Sequence, residues 1–198
     1  TEGEDLIKTS ACNYYEGVTQ DEAEKFYASM KNPNDTTPLS YGLNSKLIKE
    51  NGKLVEKTWT TESMYGPALK KIVYWLEKAS TVAENEKQAK VINKLIEYYK
   101  SGNLKAFDDY CIEWVEDLDS DIDFINGFTE TYGDPLGFKG AWESNVNFIN
   151  KEASLRTKKI SENAQWFEDN SPVSKEYKKE KVKGVTAKVI TAVILAGD

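Results

Sequence analysis

The sequence of 198 residues contains no histidine. That absence removes the commonest general acid/base and the commonest zinc ligand in one step. A Ser-His-Asp triad, a Cys-His pair and a histidine metal cluster are excluded within the chain, and no metal ligands of its own are expected. Any catalysis must run on carboxylates, tyrosine and lysine, or borrow residues from outside these 198. Cysteine is scarce as well. Cys12 and Cys111 lie far apart and are too few for a disulfide framework, so both read as buried reduced thiols. No apolar run reaches the ~18 residues of a membrane span, and no basic and hydrophobic leader opens the chain. The expectation is a cytoplasmic protein with no membrane partner. Its start is Thr1 and not methionine, which points to removal by processing, cloning or proteolysis and leaves export open. A basic stripe is missing too: 33 acidic residues outweigh 26 basic ones for a net charge of −7, and the lysines are scattered. No nucleic-acid partner is therefore expected, since phosphate contacts need a positive footprint.

What is present reads as an α+β chain, long enough to bury well over half of its unfolded surface as one large domain or two small ones. Residues 1–120 read as mainly helical, and residues 121–198 as strands, a helix and a terminal apolar strand. Thr19, ahead of Asp21 and Glu22, caps a predicted helix over 20–30, and the Asn-, Pro- and Thr-rich KNPNDTTPLSYG after it is loop. The Asn51-Gly52 pair inside LNSKLIKENGKLVEKTWT marks a hairpin. Gly66-Pro67 opens a helix in which Leu69, Ile72, Val73 and Leu76 fall at buried-face spacing. A second helix over 84–100 carries Val91, Ile92, Leu95, Ile96 and Tyr99 and is stopped by Gly102. Asn103 then caps a third, with Leu104, Phe107, Cys111, Trp114, Val115 and Leu118 as one broad apolar stripe. At helical spacing these aromatic residues read as core and not as a cofactor box.

The acidic run EDLDSDID over 116–123 lacks the turn glycine and the closing glutamate of a calcium loop, and reads as a solvated helix end. Beyond it the period changes from 3.6 to 2. Phe124, Asn126, Phe128, Glu130 and Tyr132 share one face of a strand, and in the next segment Trp142, Ser144, Val146 and Phe148 face away from Glu143, Asn145, Asn147 and Ile149. Between them stands TETYGDPLGFKGAWES, with Glu130 and Glu143 flanking a Gly-Asp-Pro-Leu-Gly turn. A register that sets Glu143 on the face of Glu130 and Tyr132 is open to a long hairpin loop. Periodicity alone makes these carboxylates water-facing hairpin charges. Two further readings stand beside that one: the acid and base or nucleophile of a glycosidase, ~5 to 9.5 Å apart, and a non-catalytic helical binding or scaffold domain. Residues 152–169 read as a helix with Ile160, Ala164 and Phe167 inward, and GVTAKVITAVILAGD as a strand or buried helix on which the chain stops uncovered.

Several separated blocks agree with one family in order. DFINGFTETYGDPLGFKGAWES, NAQWFEDNSPV and KGVTAKVITAVILAGD, together with the segments starting at Cys12 (CNYYEGVT) and Tyr41 (YGLNSKL), resemble the dipeptidyl peptidase III family of zinc peptidases in its Bacteroidetes form. The resemblance covers nearly the whole chain and implies part of a two-lobed enzyme. The family's zinc site, a His-Glu-x-x-Gly-His helix followed by a Glu-Glu-Cys-x-Ala-Glu helix, is absent from these residues. This chain would then be the non-catalytic lobe, helical with a hairpin or partial β-barrel and inactive alone. Zinc would be bound by the rest of the same protein, and the partners would be that catalytic lobe and an oligopeptide substrate. The family's cleft-lining Glu-x-Tyr falls on Glu130 and Tyr132, and its next glutamate on Glu143. By resemblance Glu130 and Glu143 help hold the charged amino end and first residues of the peptide, and Tyr132 donates to the scissile carbonyl. Gly133 departs from animal members, which carry a basic residue there, so subsite preferences need not match theirs.

Overall fold

In the computed structural model, which describes residues 3–183 and 188–197, seven α-helices and two three-stranded sheets make a mixed α and β chain. The sheets are small, and among the described residues none closes into a barrel. The chain divides into two compact units: Thr1–Ser120 with Asn126–Ser144 and Ala196–Asp198, and Asp121–Ile125 with Asn145–Leu195.

The first unit opens with the short helix α1 (Leu6–Thr9), strand β1 (Tyr15–Glu16) and helix α2 (Gln20–Met30). At the start of α2 the Glu22 amide donates to the Thr19 hydroxyl at 3.3 Å while the Thr19 amide donates to the Glu22 carboxylate at 3.0 Å. This capping box satisfies two donors that a helix start leaves orphaned. Strands β2 (Ser45–Glu50) and β3 (Lys53–Thr58) pair antiparallel from Ser45↔Thr58 to Glu50↔Lys53. Asn51 and Gly52 take φ of 51° and 77°, as a two-residue turn matched to strand twist requires. β1 joins in parallel, with Tyr15 opposite Leu47. Tyr15, Val18, Ala23, Tyr27 and Leu47 bury together as one core cluster.

Helices α3 (Gly66–Ser80), α4 (Glu86–Ser101) and α5 (Leu104–Glu116) follow, and α4 packs against both neighbours. It buries Val91, Ile92, Leu95, Ile96, Tyr98 and Tyr99, and a fully buried aliphatic side chain contributes roughly 1.5–3 kcal/mol. Gly102 ends α4 at φ 69°, where an added Cβ would stand 2.5 Å from Thr58 Cγ2. The broad stripe expected on α5 is narrower in fact. Ala106, Phe107 and Tyr110 are buried, Cys111 and Trp114 half-buried, and Val115 and Leu118 exposed. The helix stops at Glu116, so Leu118 lies beyond it. The acidic run is also more than a solvated end: buried Asp117 accepts from the Ser120 amide at 3.3 Å and hydroxyl at 2.6 Å. Both thiols are free but only half-buried, and burial pushes that of Cys111 up to about 11, so it stays protonated at neutral pH.

Strands β4 (Ile122–Glu130), β5 (Ala141–Ile149) and β6 (Ile190–Gly197) form the second sheet in that order. In the first unit, Gly127 admits the Phe107 ring, since a Cβ there would meet its Cε2 at 2.9 Å. Phe128 packs on Trp59 with ring centroids 4.8 Å apart. Trp142 Nε1 donates to the Tyr99 hydroxyl at 2.9 Å, Tyr99 donates to Asn126, and Asn126 donates to Ser144 Oγ at 3.0 Å. These bonds fasten β4 and β5 to α4.

The second unit holds α6 (Lys151–Glu162) and α7 (Ala164–Asn170). The single helix expected over 152–169 breaks at Asn163, whose side-chain amide donates to the Lys159 carbonyl at 2.7 Å. Ile160 and Phe167, expected inward, are exposed. Asp123 is buried with Lys188 3.6 Å away. The terminal run forms a strand over 190–197, exposed throughout; its residues 184–187 and 198 lie outside the described residues. Among the described residues every buried apolar side chain belongs to the first unit.

Candidate functional site

Glu130 is the last residue of β4, half-buried, and Glu143 is the third residue of β5, also half-buried. Thr129 Oγ1 donates to Glu143 Oε1 at 2.7 Å. Glu143 therefore shares the face of Thr129, and by strand alternation Glu130 takes the other face. The register that would set both carboxylates on one face is not the one adopted. Alternation also stops at Glu130, so Tyr132 belongs to the turn after the strand and is 69% exposed. An exposed phenol can donate to an oxygen that gains negative charge, and carboxylates can hold an ammonium.

The loop joining the two strands is anchored by residues that the sequence patterns did not single out. Asp134, almost fully buried, accepts from four donors: the amides of Leu136 at 3.2 Å, Phe138 at 2.8 Å and Lys139 at 2.9 Å, and the Tyr15 hydroxyl at 2.7 Å. Lys139 has no exposed surface. Its ammonium donates to the Tyr27 hydroxyl and, at 3.0 Å, to Ser45 Oγ, and it lies 3.7 Å from Glu56 Oε1. Tyr27 and Ser45 in turn donate to that same Glu56 oxygen at 2.8 and 2.6 Å. The Lys139 cation also stands 4.6 Å from the centre of the Tyr27 ring. Burial pushes its pKa down to about 8, against the opposing pull of Glu56 and Asp134. Burial pushes the phenols of Tyr15 and Tyr27 up, and Asp134 and Glu56 respectively add to the effect. A signal for this cluster does exist in the sequence: Lys139 is the one charge in the apolar and glycine-rich PLGFKGAW.

The family model described as Peptidase family M49 matches residues 15–190. The chain belongs to peptidase family M49. Its relatives include dipeptidyl peptidase 3 of Dictyostelium discoideum, 35% identical over 126 residues that make up 62% of this chain and 18% of that protein. Human dipeptidyl peptidase 3 is 30% identical over 121 residues, 61% of this chain and 16% of that protein. The fold is similar to the solved DPP III of Caldithrix abyssi, with a TM-score of 0.77 at 24% identity over 94% of this chain and 35% of that one. It is similar also to dipeptidyl-peptidase III of Corallococcus sp. strain EGB, with a TM-score of 0.68 at 20% identity over 93% of this chain and 34% of that one. This M49 chain thus spans under a fifth of those curated relatives and about a third of those solved structures.

Family M49 is a family of metallopeptidases. The described residues of this M49 chain do not fit a zinc site. Histidine is absent, and no group of three or more Cys, Asp or Glu side chains among the described residues is placed to hold a metal. In this M49 chain the loop between β4 and β5 brings together in sequence the exposed phenol of Tyr132, the half-buried carboxylates of Glu130 and Glu143 at its flanks, and the buried Asp134 and Lys139.

Proposed function

We propose that this chain is the peptide-holding part of a zinc-dependent dipeptidyl peptidase that removes dipeptides from the amino end of oligopeptides. The residues that bind the metal would then lie in the remainder of the polypeptide. One conjunction supports the reading: in a family M49 chain, Tyr132 is exposed on a turn flanked by Glu130 and Glu143. In this reading the Tyr132 hydroxyl donates to the scissile carbonyl as that oxygen gains charge, a role in which a fixed donor helps the transition state more than the bound substrate. Glu143, on the Thr129 face, and Glu130, on the other, engage separate groups of the peptide's amino end and first residues and do not share one ammonium. Thr129 fixes one oxygen of Glu143 beforehand, so that carboxylate enters the complex already oriented. Family membership leaves the glycosidase and the non-catalytic scaffold without support.

The test is Tyr132→Phe in the full-length enzyme, assayed on a dipeptidyl arylamide. Loss of an oxyanion donor lowers kcat by roughly 10²–10³ with a smaller change in KM. An unchanged kcat removes the role given to Tyr132. Cleavage of an aryl glycoside in place of the arylamide overturns the peptidase reading itself.

A further inference from the structure

A lysine with no exposed surface is an expensive way to fill space, since a buried ammonium loses its hydration and an apolar side chain of similar volume would not. The placement of Lys139 suggests what it achieves. Its chain position is in the loop between β4 and β5, but its ammonium ends among Tyr27 of α2, Ser45 of β2 and Glu56 of β3. Asp134, on the same loop, reaches Tyr15 of β1. The loop is thereby tied to all three strands of the first sheet and to α2. Three backbone bonds tighten it further: Asp134 N–H to the Thr131 carbonyl at 3.1 Å, Gly137 N–H to that of Asp134 at 3.0 Å, and Gly140 N–H to that of Leu43 at 2.8 Å. The first of these closes a turn whose two central residues are Tyr132 and Gly133.

We propose that Lys139 is a positioning residue for the peptide-holding turn, acting with Asp134 to fix where the Tyr132 hydroxyl stands. The inference rests on the role given to Tyr132 above. Lys139 never touches the peptide. It holds one end of the loop against the first sheet, Asp134 and Tyr15 hold the middle, and the Thr131–Asp134 turn presents Tyr132 from that frame. Without the ammonium, Tyr27, Ser45 and Glu56 lose their common cation and the loop loses its deepest anchor. A shift of about 1 Å in a group that must meet a developing charge is enough to lower turnover by up to about a hundredfold. The groups facing the cation are Tyr27 from α2, Glu56 from β3, Ser45 from β2, and Tyr15 and Asp134 at longer range.

A double-mutant cycle in the full-length enzyme tests this, with Lys139→Met, Tyr132→Phe and the pair, each checked for folding by thermal melting and assayed on a dipeptidyl arylamide. Lys139→Met is expected to lower kcat at least tenfold in the wild-type background and by less than threefold when Tyr132 is already Phe, because no hydroxyl is left to misplace. Equal factors in both backgrounds overturn the positioning role, since a general loss of structure would be indifferent to that hydroxyl. An unchanged kcat for Tyr132→Phe alone overturns the reading of Tyr132 and this proposal with it. A full Tyr132→Phe effect beside an additive Lys139→Met overturns only the proposal. If Lys139→Met does not fold, Tyr15→Phe takes its place: it removes one donor to Asp134 and keeps the ring, and the same non-additivity with Tyr132→Phe is required.

Discussion

At the scale of single residues, the chemistry of the loop is decided by what surrounds Lys139 and Asp134. Four donors converge on Asp134, so an acceptor-only carboxylate suits the position and an amide there would turn its own donors on donors. Lys139 leaves a pH signature. Burial lowers its pKa from 10.5 to about 8 in the folded chain. Between those values the unfolded chain holds a proton that the folded chain does not, so this residue makes stability rise with pH. Below about pH 8 both states are protonated and its contribution is constant. The buried phenols of Tyr15, Tyr27, Tyr98 and Tyr99, all pushed above 10.0, act the other way. Above about pH 10 the unfolded chain sheds protons that the folded chain keeps, and stability falls. Comparison with Lys139→Met cancels the tyrosines. The stability of the wild type relative to that variant is expected to grow by on the order of 2–3 kcal/mol between pH 7 and pH 10, followed by denaturant unfolding. A difference that stays flat with pH would show that the ammonium is not desolvated as described.

At the scale of elements, α4 and the pair α6 and α7 are opposites. α4 is packed on two sides and buries residues along most of its length, whereas α6 and α7 bury none. Propensity and caps form both kinds of helix, but tertiary burial supplies most of the stability of a helix. Hydrogen exchange on the 198-residue chain should find the amides of α4 the slowest, opening only with the whole unit, and those of α6 and α7 faster by at least a hundredfold, through local opening. Equal protection would mean that Leu155, Ile160, Trp166 and Phe167, all exposed here, are covered in solution. The same contrast explains what could be read from the sequence. The α2 cap, the Asn51-Gly52 turn and the α4 face are local signals with one physical meaning, and each formed as expected. The inward faces of α5 and of 152–169 did not, because periodicity marks an apolar stripe without showing which neighbour covers it.

At the scale of the whole molecule, family M49 relatives are several times longer than the segment matched here, and the chain has no histidine to offer a metal. After equilibration with zinc and desalting, elemental analysis is expected to find no stoichiometric zinc on the 198-residue chain and, on the function proposed, a retained ion on the full-length protein. Stoichiometric retention by the chain alone would contradict the division of labour proposed. What the sequence determined by itself is the local grammar: caps, turns, the alternation of β4 and β5, the exclusion of histidine chemistry, and the ordered blocks that resemble one peptidase family. Tertiary structure alone decided that Glu143 sits with Thr129 and apart from the face of Glu130, that Tyr132 leaves the strand and stands exposed, and that Lys139 runs inward to residues 83 to 112 positions away in sequence. The reason is range. Capping and pleating act over a few residues and leave a mark in their spacing, whereas the partner that makes a buried charge tolerable can come from anywhere in the chain.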